Sequence, residues 1–328
     1  MSNLTTLLRP SYSPNAFDGF STVGEFNLGT ARALIWMSQL AYETADPEKV
    51  SDILASWQMR LVDDGIVFGE ARTVLPIAST HAIVAAGRGA TILSFAGTDP
   101  ISLANWISDF NFRTTPGGTA DGFRQAFDAV QDKVLVLLRA RPDAAAPLFV
   151  TGHSLGGALA VVAAHVLQAQ GLDVAAVYTY GMPRPGDAAF AGQAYDPLLG
   201  SRTYRMVHGN DIVPTVAPSA FGLRHVGRLL RCGHGALFDP ATLSAGPGLD
   251  DPQFSIAAAQ QLKALLEQPG QALAGVAERL ALVAKVAIGG VPVHGRPPSI
   301  AVMIESLPPQ VRDHLPDCYI NALGAGPL

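Results

Sequence analysis

The sequence predicts an α/β fold in which a mostly parallel central sheet is flanked by helices. Short apolar runs typical of buried strands alternate with segments whose apolar residues recur every three to four positions, as in amphipathic helices. Hydrophobic residues make up 48% of the 328 residues and charged residues 15%, which provides a sizeable core and excludes intrinsic disorder. We expect a single domain over residues 1–328.

The first third of the chain predicts two helices and then a series of strands. Apolar residues at helical spacing predict a helix over 30–42, and a second helix follows Pro47. The strand-like runs are 65–68, 71–75, 81–86 and 91–95. A long amphipathic helix is predicted over 122–141 and ends before Pro142, because proline cannot continue a helix.

The rest of the chain first repeats this alternation and then departs from it. Predicted strands at 148–151, 174–180 and 203–207 enclose an Ala-rich helix that ends at about Gln170. Residues 214–250 are loop-rich, and two helices are predicted over 255–267 and 271–288. We expect these helices to form a cap over a pocket at about 233–300, although a helical hairpin packed on the core is an equally simple alternative.

Charge and composition exclude several classes of protein. Lys and Arg total 22 against 27 Asp and Glu, so the net charge is −5 and nucleic acid is not an expected partner. Cys232 and Cys318 are too few for a disulfide scaffold or a multi-cysteine zinc site, and whether they pair is open. No apolar run of 18 residues predicts a transmembrane segment. No signal peptide is visible, so the cytoplasm is the default expectation, with leaderless export as the alternative.

Residues 152–156 read Gly-His-Ser-Leu-Gly, a G-x-S-x-G motif. An apolar run precedes it and an Ala-rich helix follows, which is the strand–turn–helix context that this motif requires. The sharp turn would place the Ser154 hydroxyl at a helix N-terminus, where N–H groups stabilise a developing negative charge. We therefore predict that Ser154 is a nucleophile; the simpler alternative is a Gly-rich turn with a surface serine.

A serine hydroxyl needs a base to attack at neutral pH. In strand–turn–helix sites of this kind the acid and then the histidine follow the serine along the chain. Asp211 fits the acid, because it follows the predicted strand 203–207, whereas Asp187 and Asp196 are less well placed. The histidines that can complete this order are His225, His234, His294 and His314.

Two groups are expected to hold the oxyanion of the reaction. The first is the N–H of Leu155, the residue after the nucleophile. The second should come from the loop after an earlier strand, and Thr98, which follows the run 91–95, could offer its N–H and its hydroxyl.

Taken together, these motifs resemble the class 3 (fungal-type) lipase family of α/β-hydrolases. The matching segments are Leu40–Tyr42, Phe95–Thr98 with Asn105, Trp106 and Asp109, Gly152–Gly157, Thr179–Asp187, Asn210–Pro214, His225–Gly227, and Asp313–His314 with Tyr319. The resemblance implies the α/β-hydrolase fold and assigns the base to His314. The chain departs from the family at Ala96, where arginine is usual, and at Leu315, where serine is usual.

The function implied by the resemblance is that of a serine carboxylic-ester hydrolase, either a triacylglycerol lipase or a lipid esterase that acts through an acyl-enzyme. Ser154 would attack the ester, His314 would transfer the proton and Asp211 would orient His314. No metal ion and no cofactor is expected, and the expected partner is a lipid or another ester substrate, either in solution or at a lipid–water interface. The alternatives are a short-chain esterase, a phospholipase, a polyester hydrolase, or a lipid-binding module without catalysis.

Overall fold

The computed structural model describes residues 5–70, 79–98, 118–216, 222–246 and 309–326. A seven-stranded sheet crosses these residues in the order β1-β2-β3-β4-β5-β7-β9. Its strands are β1 (Met59–Glu70), β2 (Ser79–Gly87), β3 (Ala90–Phe95), β4 (Leu148–His153), β5 (Val174–Tyr180), β7 (Thr203–His208) and β9 (Arg228–Cys232). The first three strands pair antiparallel, and every pairing from β3 to β9 is parallel. Two short strands, β6 (Gly186–Asp187) and β8 (Leu223–Arg224), pair with each other.

Helices cover both faces of the sheet. They are α1 (Leu28–Leu40), α2 (Pro47–Ser56), α3 (Gly118–Arg139), α4 (Leu155–Ala169), α5 (Asp196–Leu199), α6 (Pro309–Arg312) and α7 (Pro316–Ala322). Local chemistry fixes where the first two begin: the side chain of Asn27 accepts from Thr30 N–H, and that of Asp46 accepts from Lys49 N–H. Such side-chain caps satisfy backbone donors that a helix N-terminus leaves unpaired.

Two apolar clusters fill the space between the sheet and these helices. Leu148 and Val150 belong to the cluster that contains the buried residues of α3 and α4, whereas Phe149 belongs to the cluster that contains those of α1, α2 and α7. Successive strand residues point to opposite faces, so a strand buried on both faces must be apolar throughout. This is why the central strands are continuous apolar runs in the sequence.

The predicted fold class is confirmed, with the sheet mostly parallel and flanked by helices. The main difference is β9, which occupies part of the segment 214–250 that we expected to be loop-rich. Its sequence, Arg-Leu-Leu-Arg-Cys, is short and carries two charges because it forms an edge of the sheet. The strand β1 is also longer than predicted, since a register shift between Leu61 and Ile66 lets it continue past Asp63 and Asp64.

Several predicted elements lie outside the described residues, namely the strand-like run 71–75 and the helices 255–267 and 271–288. The single domain with a cap at about 233–300 therefore stays a prediction. Within the described ranges, no helix combines the length and the apolarity that a bilayer crossing requires.

Candidate active site

Ser154 lies in the sharp turn between β4 and α4. Its backbone has φ 59° and ψ −135°, a conformation that is costly for a residue with a side chain. The turn is fixed from both sides, because Ser154 N–H donates to the carbonyl of Tyr180 at 2.8 Å and Gly157 N–H donates to the Ser154 carbonyl at 2.9 Å. Surrounding structure thus holds the serine in a strained position.

Glycines at 152 and 156 allow the turn to close. A Cβ atom on Gly152 would lie 2.2 Å from the carbonyl oxygen of Gly156, and one on Gly156 would lie 2.5 Å from the carbonyl oxygen of Phe95. Both distances are too short for any side chain. The motif therefore needs glycine at both positions. The absence of side chains there lets the start of α4 pack against the end of β3.

Asp211 and His314 form a buried hydrogen-bonded pair. The Nδ1 atom of His314 lies 2.8 Å from Oδ2 and 3.0 Å from Oδ1 of Asp211, and the two side chains are 2% and 0% exposed. Because the carboxylate accepts, Nδ1 carries the proton and the lone pair of the neutral ring lies on Nε2. Among the described residues, neither this Nε2 atom nor the hydroxyl oxygen of Ser154 has a hydrogen-bond partner, although both are buried.

Two further glycines show which loops pack against Ser154 and against the Asp211–His314 pair. A Cβ on Gly97, in the loop after β3, would lie 2.7 Å from the Cβ of Ser154. A Cβ on Gly181, directly after β5, would lie 2.6 Å from Oδ2 of Asp211 and 2.9 Å from Nδ1 of His314. The site therefore lies at the carboxyl ends of the parallel strands, where open α/β sheets bind their ligands.

His153 connects the serine turn to the histidine segment. Its Nε2 atom lies 2.6 Å from the carbonyl oxygen of His314 and its ring centroid 4.6 Å from that of His314, while Nδ1 lies 2.8 Å from the hydroxyl of Tyr42. A carbonyl only accepts, so Nε2 carries the proton and Nδ1 accepts from Tyr42. Burial, and next the charge of His314, hold the pKa of His153 well below its usual 6.5, so this ring is neutral.

The neutral His153 predicts a pH dependence of stability. Below about pH 6.5 the unfolded chain binds a proton that the folded His153 rejects, so the free energy of unfolding falls as the pH falls. Between pH 7.5 and 5.5 we expect wild type to lose roughly 1 kcal/mol more than H153Q, whose amide can still donate to the carbonyl of His314. Urea unfolding at both pH values measures this difference. Equal losses in the two proteins would contradict a neutral buried His153.

Asp211 has two further donors besides His314. The hydroxyl of Tyr319 donates to Oδ2 at 2.6 Å and Val213 N–H donates to Oδ1 at 2.8 Å. Burial, and next the charge of Asp211, raise the pKa of Tyr319 well above 10, so its hydroxyl keeps its proton and remains a donor. In the sequence Tyr319 was only part of a motif, and nothing there indicated its bond to the carboxylate.

The expected oxyanion donors belong to the start of α4 and to the loop after β3. Leu155 is the first residue of α4, where backbone N–H groups have no partner within the helix. Thr98 is half-buried in the loop after β3, one residue beyond Gly97. The oxyanion role of these two residues stays a prediction.

The other candidate histidines have different surroundings. Nε2 of the buried His225 donates to the carbonyl of Pro214 at 2.8 Å, and burial lowers the pKa of His225 well below 6.5. His234 is 55% exposed and contacts Asp313. His294 lies outside the described residues. In the part of the chain that the structure describes, His314 is the histidine that contacts Asp211.

The two cysteines do not form a disulfide. Both thiols are free, with Cys232 buried and Cys318 partly buried. Burial raises the pKa of the Cys232 thiol to about 11 and raises that of Cys318 further. Both groups therefore stay protonated at neutral pH and are poor nucleophiles.

Comparison with known proteins agrees with this geometry. Residues 92–221, which contain Thr98, Ser154 and Asp211, match the family model described as Lipase (class 3). This central part of the chain is therefore similar to class 3 lipases. It is 39% identical over 134 residues to a secreted mono- and diacylglycerol lipase of Fusarium solani, which covers 38% of this chain and 39% of that protein. It is 36% identical over 163 residues to a lipase of Rhizomucor miehei, which covers 46% of this chain and 44% of that protein.

A solved structure supports the fold. The crystal structure of a variant of MDLA from Penicillium cyclopium superposes with a TM-score of 0.52 at 22% identity, covering 69% of this chain and 90% of that one. In the sequence comparisons the match spans less than half the length of the two lipases above. The cytoplasmic default expected from the sequence is wrong, because relatives such as the Fusarium solani and Penicillium cyclopium enzymes are named as secreted lipases.

Proposed function

We propose that this protein is a class 3 lipase that hydrolyses carboxylic esters of lipids, and that Ser154, His314 and Asp211 are its catalytic triad. The observation that carries the proposal is a buried serine hydroxyl without a partner in a strained turn, together with a histidine whose Nδ1 is bound to a buried carboxylate and whose ring lies 4.6 Å from that of His153, the residue before the serine. Both atoms left without partners, the hydroxyl oxygen and Nε2 of the histidine, are those that the reaction uses.

In the first half of the reaction, Nε2 of His314 takes the hydroxyl proton of Ser154 as the oxygen attacks the ester carbonyl. The imidazolium then gives this proton to the leaving alcohol, and the acyl group stays on Ser154. Asp211 holds the ring in the tautomer that leaves Nε2 free and stabilises its positive charge. In the second half, water repeats the sequence and releases the acid.

The oxyanion of each tetrahedral intermediate would be held by the N–H of Leu155 and by Thr98. Such donors act strongly because they are fixed before the reaction and lie in a site from which water is largely excluded. Loss of a single donor of this kind typically costs about 10²–10³ in kcat.

The substrate class rests on the relatives, which are named as lipases of mono- and diacylglycerols or simply as lipases. We infer that the substrates are glycerides and that the protein acts outside the cell, as the names of the secreted relatives suggest. We further propose that residues 233–300 form a cap over the Ser154 site within a single domain. A cap with apolar helices would contact lipid at an interface.

A series of p-nitrophenyl esters from short to long acyl chains tests the proposal, together with labelling by a fluorophosphonate and identification of the labelled peptide. We expect hydrolysis that increases sharply when a long-chain ester exceeds its solubility, and a label on Ser154. Activity restricted to soluble short-chain esters would indicate an esterase instead. Absence of labelling and of turnover would indicate a binding module and overturn the proposal.

A further inference from the structure

A second pair of a histidine and a buried carboxylate lies beside the first. Asp313, which directly precedes His314, is fully buried. Nδ1 of His234 lies 2.9 Å from its Oδ1 atom, while Oδ2 accepts from the backbone N–H of Asn210 at 2.9 Å and from the Asn210 amide at 3.3 Å. The carboxylate therefore bridges the turn after β9 and the loop after β7.

The carboxylates of Asp313 and Asp211 connect the same two segments, residues 210–211 and residues 313–314, but each segment supplies one of the two acceptors. Asp313 accepts from Asn210, whereas the next residue, His314, donates to Asp211. The residues immediately before the acid and before the base are thus bonded to each other. A shift of either segment along the other would have to break both bonds at once.

Further contacts tighten this junction. Nδ1 of His208 donates to the backbone carbonyl of Asp313 at 3.2 Å. Gly209, with φ +54°, approaches so closely that a Cβ there would lie 2.4 Å from Oδ2 of Asp313. The loop that carries Asp211 is therefore packed directly on the Asp313 carboxylate.

The segment that carries His314 needs such a connection. His314 lies 103 residues after Asp211 and follows α6, a helix of only four residues, rather than a strand of the sheet. The backbone bond from Ile212 N–H to the carbonyl of Gln310 is long, at 3.4 Å. The alignment of the base with the acid therefore depends on side chains, and a buried carboxylate with several donors provides a strong and directional link.

We propose that Asp313 is a positioning residue, which with His234 fixes the loop at Asn210 and so aligns Asp211 with His314. The inference rests on the proposed triad. Displacements of about 1 Å in such a site can lower a rate by about 10²-fold, so loss of the link should reduce turnover more than substrate binding.

Kinetics per active site test this role. Wild type, D313A, D313N, H234A and H234N are compared on a soluble short-chain ester well below each melting temperature, with active sites counted by end-point fluorophosphonate labelling. We expect kcat per labelled site to fall about 30- to 100-fold in D313A and about 5- to 10-fold in H234A, with KM within twofold. H234N should recover most of the loss, because its amide nitrogen replaces Nδ1 as the donor to Asp313.

D196A is the matched control. Asp196 is a partly buried carboxylate that, like Asp313, accepts a backbone N–H, here from Gly227 at 2.9 Å, but Gly227 directly precedes β9, at the amino ends of the strands and away from the site. It should lower stability and leave kcat per labelled site unchanged. If D313A and H234A behave like D196A, the positioning role is overturned, and D313N answers the same question should D313A fail to fold.

Two other results separate this inference from its competitors. His208, Asp313 and Cys318 offer ligand atoms within 4.8 Å of one another, so a chelator is added to the wild-type assay. A loss of activity that zinc restores would overturn the positioning role in favour of a cation site, and unchanged activity supports the positioning role. Activity that persists in S154A would instead refute the proposed triad, whatever the Asp313 variants do.

Discussion

S154A is expected to lower kcat/KM on p-nitrophenyl esters about 10⁴- to 10⁶-fold, because it removes the atom that forms the acyl-enzyme. In serine hydrolases the loss of one triad member costs nearly as much as the loss of all three, and the remaining rate comes from the oxyanion donors and substrate binding. Initial rates, with the melting curve measured in parallel, give the result.

The strained backbone at Ser154 predicts that a second variant, S154G, differs from S154A in stability. At φ 59° a residue with a side chain costs roughly 1–3 kcal/mol, and glycine avoids this cost at an entropic penalty of about 0.5–1 kcal/mol. S154G should therefore be as inactive as S154A, but its free energy of unfolding should be about 1 kcal/mol higher than that of S154A. Such a result would indicate that the fold sacrifices stability to place the hydroxyl.

S201A controls for the effect of losing any serine. Ser201 is exposed and lies just before β7, at the amino end of that strand, whereas the site lies at the carboxyl ends. Its replacement should change neither the rate nor the melting temperature. If S154A retains activity within tenfold of wild type and melts normally, Ser154 is not the nucleophile.

The turn at Ser154 could be predicted from the sequence because its causes are local. The apolar run of β4, the two glycines and the Ala-rich helix lie within about 20 consecutive residues, and the steric conflict at Gly152 and Gly156 is between neighbours in the chain. Asp211 could be predicted equally well, because an acid that follows a late strand lies at the carboxyl end of a parallel sheet.

The base could not be chosen from chain order alone. Four histidines follow Asp211. The hydrogen bond that distinguishes His314 from the other described histidines joins it to Asp211, 103 positions away. The resemblance to a family made that choice. The pair of His234 and Asp313 was missed for the same reason, since 79 residues separate its members and neither belongs to a periodic pattern. The position of Asp313 beside His314 was the one signal in the sequence.

Strand β9 shows a different limit of the sequence. Its five residues show no clear alternation of charged and apolar side chains. An edge strand pairs with one neighbouring strand, so arginine can be exposed on both of its faces. Gly227, at φ +73°, lies so close to Thr203 that a Cβ would be 2.6 Å from its carbonyl oxygen. That close approach, which brings β9 beside β7, depends on tertiary packing that periodicity does not report.

H314A is expected to lower kcat/KM about 10⁴- to 10⁶-fold and to slow labelling of Ser154 by a fluorophosphonate, because both reactions need a base at the serine. The protein should remain folded, since Tyr319 and Val213 still donate to the Asp211 carboxylate. Imidazole added to H314A should restore part of the rate by entering the space of the lost ring. Rates with and without imidazole measure this directly.

H294A is the contrasting variant, because His294 also follows Asp211 in the chain and so also satisfies the order of acid and base. It should keep kcat/KM within threefold of wild type and should not respond to imidazole. The assignment reverses if H294A is inactive while H314A is not. Equal and complete losses in both, with unchanged melting curves, would mean that the proton passes through two histidines, which the direct bond between His314 and Asp211 at 2.8 Å argues against.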